Sequence, residues 1–95
     1  MHAVVRTYSG KGAKELFDIL EQRTSEVENV ISGVAGFQSY FLIRTADGGI
    51  SVTVCNYKAG TDESVRLAAD WVRENAPGTV TSPPVVSGGP VILEF

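Results

Sequence analysis

A chain of 95 residues with 43% hydrophobic and 20% charged side chains has room for one domain, 1–95, which excludes a multidomain enzyme. Its 8 basic residues against 11 acidic ones leave a formal charge of −3, so no basic surface of the kind that drives phosphate-backbone binding is expected and nucleic acid is not an expected partner. Folding a chain this short removes only roughly 60–65% of its unfolded surface from water, which makes a stabilising second copy an early expectation.

The first segment, Ala3-Val4-Val5-Arg6-Thr7-Tyr8, is rich in β-branched and aromatic types and stops at Ser9-Gly10-Lys11-Gly12, which predicts a strand followed by a turn. Between Ala13 and Ser32 there is neither Gly nor Pro, and Leu16, Leu20, Val27 and Ile31 recur at helical spacing with Phe17, Arg23 and Val30 beside them. One long amphipathic helix is predicted, ended by Gly33 and Gly36. Phe37–Thr45 and Ile50–Tyr57 are apolar, β-branched and aromatic runs around Ala46-Asp47-Gly48-Gly49, a hairpin signal. Thr61 then reads as a helix N-cap, with Asp62 and Glu63 in the first turn and Val65, Ala68, Ala69 and Val72 on one face. All 4 prolines fall within residues 77–90, predicting an extended loop with a short edge strand at Val85-Val86, and Val91–Phe95 reads as the last strand.

The resulting order, β-α-β-β-α-β, is that of the ferredoxin-like arrangement: an α+β fold whose four-stranded antiparallel sheet carries both helices on one face. Pairing Thr45 with Ile50 places Phe37, Ser39, Phe41 and Ile43 on one face with Ile50, Val52, Val54 and Asn56. This face is expected under the helices. The opposite face, expected to be free, holds Gln38, Tyr40, Leu42, Arg44, Ser51, Thr53, Cys55 and Tyr57, joined by Val4, Tyr8 and Ile92. Its half-apolar character predicts a second subunit packed against it.

The turn Gly-Val-Ala-Gly-Phe-Gln-Ser-Tyr at 33–40, the Asp47-Gly48-Gly49 hairpin, the Ser51-Val52-Thr53-Val54 strand, and residues 64–75 with their Ala-Ala-Asp-Trp-Val core together resemble the dimeric α/β-barrel superfamily, in particular its antibiotic biosynthesis monooxygenase-like members. The resemblance implies a homodimer formed by sheet-to-sheet packing, a ligand cleft between helices and sheet, and a C-terminal arm reaching the partner. The activities it implies range from small cofactor-independent oxygenases to members with no reaction. Haem-degrading members carry an Asn on the first strand and a His on the second helix, whereas here residues 3–8 contain no Asn and residues 62–76 no His.

Among polar residues, Asn56 is the expected catalytic group, an amide able to polarise a ligand carbonyl or enolate in a dry pocket; the alternative is a strand-end cap bonded to the 57–60 turn. Trp71 and Tyr40, with Ser39, are the expected ligand-binding residues; Trp71 alternatively packs in the core and Tyr40 meets a partner sheet. Arg6 and Arg44 are candidates to hold an anion bidentately or to form ion pairs, and His2 is the only histidine. Cys55, the lone cysteine, reads as a small buried hydrophobe rather than a nucleophile and points to a reducing compartment. No metal site or cofactor is expected, and neither the Gly10-Lys11-Gly12 turn nor the Ser51–Tyr57 strand carries a nucleotide- or RNA-binding motif. No signal peptide or membrane span is read in the chain, so a cytoplasmic protein without a membrane partner is expected. Two functions remain open: a cofactor-independent oxygenase acting on an aromatic or polyketide-like molecule, and a non-catalytic dimeric module that binds a small ligand or a protein.

Overall fold

The computed structural model describes residues 1–79 and 82–95. Its elements are β1 (His2–Tyr8), α1 (Ala13–Gln22), α2 (Thr24–Ser32), β2 (Phe37–Thr45), β3 (Gly48–Cys55), α3 (Lys58–Asn75) and β4 (Val85–Pro90). The strands form one antiparallel sheet in the order β2-β3-β1-β4. This is the α+β ferredoxin-like fold predicted from the order of elements, with local corrections.

The expected single helix over 13–32 is two. Arg23, at φ −125° and ψ 36°, leaves the helical region and serves as the C-cap of α1 and the N-cap of α2. It lies in the polar stretch Glu21–Glu26, where no apolar side chain anchors a continuous stripe to the sheet. Leaving the helix lets the Arg23 guanidinium stand over the Trp71 ring, 5.2 Å from its centre. The third helix starts at Lys58 rather than beyond Thr61, whose hydroxyl donates to the Lys58 carbonyl inside the first turn. The last strand is Val85–Pro90 and not Val91–Phe95: β1 takes 85–90 as its partner, and Ile92, Leu93 and Phe95 are exposed beyond it. Of the loop expected over 77–90, positions 80 and 81 lie outside the described residues.

Hairpin parity grouped the strand residues correctly except Phe37, but assigned the wrong group to the helices, so the face expected to meet a second subunit is the covered one. The turn is tighter than expected, Thr45 pairing with Gly48, and Ile43, Phe41 and Ser39 oppose Ile50, Val52 and Val54. That set looks away from the helices, with Phe41 and Ile43 exposed. Beneath the helices lie Tyr40, Leu42, Ser51, Thr53 and Cys55, together with Val4, Arg6 and Tyr8 of β1. Phe37 joins this side because the register shifts between Phe37 and Ser39. The physical reason is close approach of α3. Its buried face is Gly60, Thr61, Ser64, Ala68 and Trp71, which keeps Ala68 of the expected Val65/Ala68/Ala69/Val72 stripe and otherwise turns one step from it, and small side chains there meet small side chains on β3. At Gly60 an added Cβ would stand 2.5 Å from the Ala35 carbonyl oxygen and 3.0 Å from Cys55 Cβ. Val52 in place of Ser51 would add volume to that contact.

The core is completed by Ala13, Leu16, Phe17 and Leu20 of α1 and by Val27 and Ile31 of α2. Phe17 meets Tyr8 edge to face, ring centres 5.8 Å apart.

Candidate functional site

The strand β1 alternates Val4, Arg6 and Tyr8 onto the helix side, and β2 brings Tyr40 and Leu42 to the same side. Trp71 descends from α3 toward them, its ring covered by Arg23, which also donates to Asn75 Oδ1 at 3.0 Å. Asn75 in turn donates to the Trp71 carbonyl at 3.0 Å. Trp71 packs in the core, the alternative read from the sequence, and Tyr40 packs against it under the helices rather than facing a partner sheet; the two border a chamber of about 20 Å³ that Arg6, Tyr8, Ser51 and Val72 also line. A space of that size holds one water. Across Arg6, Tyr8 and Val72 lies a larger cavity of about 430 Å³, walled by Val65, Ala69, Pro77 and Pro84, which is within the range of small-molecule sites.

The other expected site residues stand elsewhere. Ser39 is on the outer sheet face and opens with Tyr40 onto a groove between α2 and β2. Asn56 is not under the helices as parity suggested: it is exposed just past β3, where its Oδ1 accepts from Gln38 Nε2 at 2.7 Å and its N–H donates to the Gly36 carbonyl at 2.7 Å. The residues it alternates with, Ile50, Val52 and Val54, face away from the helices as well. Arg44 is spent on two exposed ion pairs, with Asp18 and Glu21 of α1, each at 2.9 Å. His2 Nδ1 lies 2.9 Å from Thr61 Oγ1. Cys55 is fully buried, and burial pushes its thiol up, as expected of an inert core cysteine. Sequence reasoning left Tyr8 and the Pro77/Pro84 wall out of the site. The phase of Val4-Arg6-Tyr8 was the available signal for Tyr8; the proline wall is assembled only by the fold of the loop.

Burial pushes the Tyr40 phenol above its ordinary value, outweighing the pull of the neighbouring Arg6 charge and Ser51 hydroxyl in the other direction. Tyr40 is therefore a proton donor throughout the neutral range and not a base. The stability that goes with a neutral Tyr40 is intact below the ordinary tyrosine value of 10.0. It declines as pH rises past that value, because the unfolded chain releases the proton first and then binds fewer protons than the folded one. Melting temperatures measured between about pH 8 and 11 are expected to fall less steeply in Tyr40→Phe than in the parent protein; parallel slopes would show the phenol to be open to water.

No protein-family model matches the chain, and no curated protein sequence does. Solved structures do match it. A protein of unknown function from Nitrosomonas europaea superposes with a TM-score of 0.69 at 16% identity, covering 99% of this chain and 90% of that one. The chain shares its fold. A dimeric ferredoxin-like protein from an uncultured marine organism gives 0.67 at 14% identity, covering 99% and 94%. A monooxygenase of Streptomyces coelicolor, in complex with the ligand nanaomycin D, gives 0.60 at 19% identity, covering 99% and 91%. The dimeric and monooxygenase neighbours agree with the resemblance drawn from the sequence, and the identities make it a likeness of fold. Among the described residues no helix is long and apolar enough to cross a membrane, and no group of three or more His, Cys, Asp or Glu residues stands close enough to hold a metal ion.

Proposed function

We propose that the chain works as a homodimer, packed sheet against sheet, that takes a flat aromatic or polyketide-like molecule between helices and sheet and oxygenates it without a cofactor. The observation that carries this reading is the cavity of about 430 Å³ that shares the Arg6, Tyr8 and Val72 wall with the chamber of Trp71 and Tyr40. Such a space is apolar and aromatic with a few convergent polar groups, which suits a planar ligand. The neighbour bound to nanaomycin D supports the same reading. The outer sheet face supports the dimer: Ala3, Val5, Phe41, Ile43, Ile50, Val52 and Val54 share it, and none of the strand residues turned that way is charged. The exposed tail residues Ile92, Leu93 and Phe95 supply further apolar surface for the partner copy.

In this reading Tyr8, Val65, Ala69, Val72 and Pro84 line the ligand, while Trp71 and Tyr40 stand behind the shared Arg6, Tyr8 and Val72 wall and reach it only where the small chamber opens into the cavity. Ser39 and Asn56 stand away from the cavity and take no part in it. The lining side chains include no carboxylate or imidazole among the described residues, so no side-chain base is at hand and the substrate must itself be acidic; dioxygen is the oxidant, the substrate's methylene group becoming a ketone with one oxygen atom while the other leaves as water with the two hydrogens. The same observation favours the second reading, a dimeric binding module without chemistry. Oxygen uptake with 1,8-dihydroxyanthrone separates the two. Uptake well above the protein-free rate, retained in Asn56→Ala and lost in Trp71→Ala, is the expected result. Binding without uptake would leave the module, and loss of uptake in Asn56→Ala would return the amide to the mechanism.

A further inference from the structure

Arg6 is the one charged residue among the buried side chains, 3% exposed. Its Nη1 donates to the Ser64 backbone carbonyl at 3.2 Å, its Nε has no partner, and none of the described ion pairs involves it. An isolated guanidinium in an apolar interior is costly and persists where something pays it back in charge. Here the uncompensated cation stands on the wall common to the small chamber and the larger cavity.

We propose that Arg6 is an anion anchor and that the cavity takes a planar aromatic acid carrying one negative charge, as a carboxylate or an acidic phenolate or enolate. This inference rests on the cavity reading above and adds the charge of its ligand. Arg73, the other cation on the cavity wall, is exposed and paired with Asp70, so one uncompensated buried cation matches one anionic group, which a guanidinium can hold through two N–H donors at once. The surroundings select the rest of the molecule: Tyr8, Val65, Ala69, Val72, Pro77 and Pro84 offer apolar and aromatic surface, so a small hydrated anion such as phosphate would lose its water without compensation, whereas a flat apolar acid buries its rings as its charge is met. The exposed tail carries a carboxylate of its own, Glu94, which is the competing source of the same chemistry.

The test uses 2-naphthoate and its uncharged counterpart 2-naphthamide on the full chain, read by quenching of Trp71, the only tryptophan, and by calorimetry. The acid is expected to bind at least tenfold more tightly than the amide. That preference is expected to vanish in Arg6→Met and to persist in Arg6→Lys, while the ligand-free Arg6→Met protein melts at or above the parent temperature because a buried unpaired charge has gone. Equal binding of acid and amide by the parent protein would overturn the anion anchor and leave the cavity reading standing. Binding of neither probe at millimolar concentration would overturn both. Acid binding that appears only after removal of residues 91–95, or in Glu94→Gln, would overturn the small-molecule ligand and give Arg6 to the tail carboxylate. Should Arg6→Met fail to fold, the acid and amide comparison on the parent protein decides alone.

Discussion

Val52→Asp is expected to convert the proposed sheet-to-sheet dimer to monomer with the fold retained. Val52 lies on β3, an interior strand of the sheet, and is flanked in register by Phe41 of β2 and Val5 of β1 on the face turned away from the helices. A carboxylate there remains hydrated in a lone subunit. In a sheet-to-sheet dimer it would lose water without a partner, at about 3 kcal/mol for each copy. A two-fold interface counts the change twice, so the dissociation constant is expected to rise by roughly 10⁴. Native mass spectrometry or sedimentation over a range of concentrations reads this directly. A parent protein that stays monomeric at every concentration would remove the dimer, and an unchanged dimer in Val52→Asp would move its interface to another surface.

Gly49→Ala is expected to cost more stability than any exposed substitution on the sheet. Gly49 is buried opposite Tyr8 and Arg44, and a Cβ built on it would fall within the van der Waals envelope of the Phe17 ring. Phe17 is itself 2% exposed and held edge to face against Tyr8, so the ring cannot swing aside without opening the α1 contact. Overpacking of this kind costs about 3 kcal/mol, equivalent in a domain of this size to a fall in Tm on the order of 15 °C. The double variant Gly49→Ala with Phe17→Leu is expected to recover part of that loss, since the two positions compete for one volume. Thermal melts of the three variants check it. An unchanged Tm in Gly49→Ala would mean that α1 does not press on the hairpin at this point.

Little of the site was legible. The aromatic character of Trp71 and Tyr40 was read as a ligand cleft, and the two pack together at the core around a chamber the size of a water. Arg6 and Arg44 looked alike as strand arginines, and their difference is tertiary: Arg44 reaches two carboxylates at the edge of the sheet, and Arg6 is enclosed under α3 with no carboxylate in reach. Asn56 was misplaced because the set it alternates with, Ile50, Val52 and Val54, was assigned to the helix side and faces away from it.

The sequence by itself determined the order of the elements, the hairpin, and which strand residues travel together, because helix and strand periodicities and turn glycines act over a few residues. It also determined that one face of the sheet would be free of charge. Only the tertiary structure decided which face the helices cover. That choice follows from how closely α3 can approach β3, with Gly60, Ser64 and Ala68 meeting Ser51, Thr53 and Cys55 across the interface, and so depends on volumes brought together from distant parts of the chain. The same packing broke the first helix at Arg23, chose 85–90 over 91–95 as the partner of β1, and enclosed the guanidinium of Arg6, none of which a local pattern encodes.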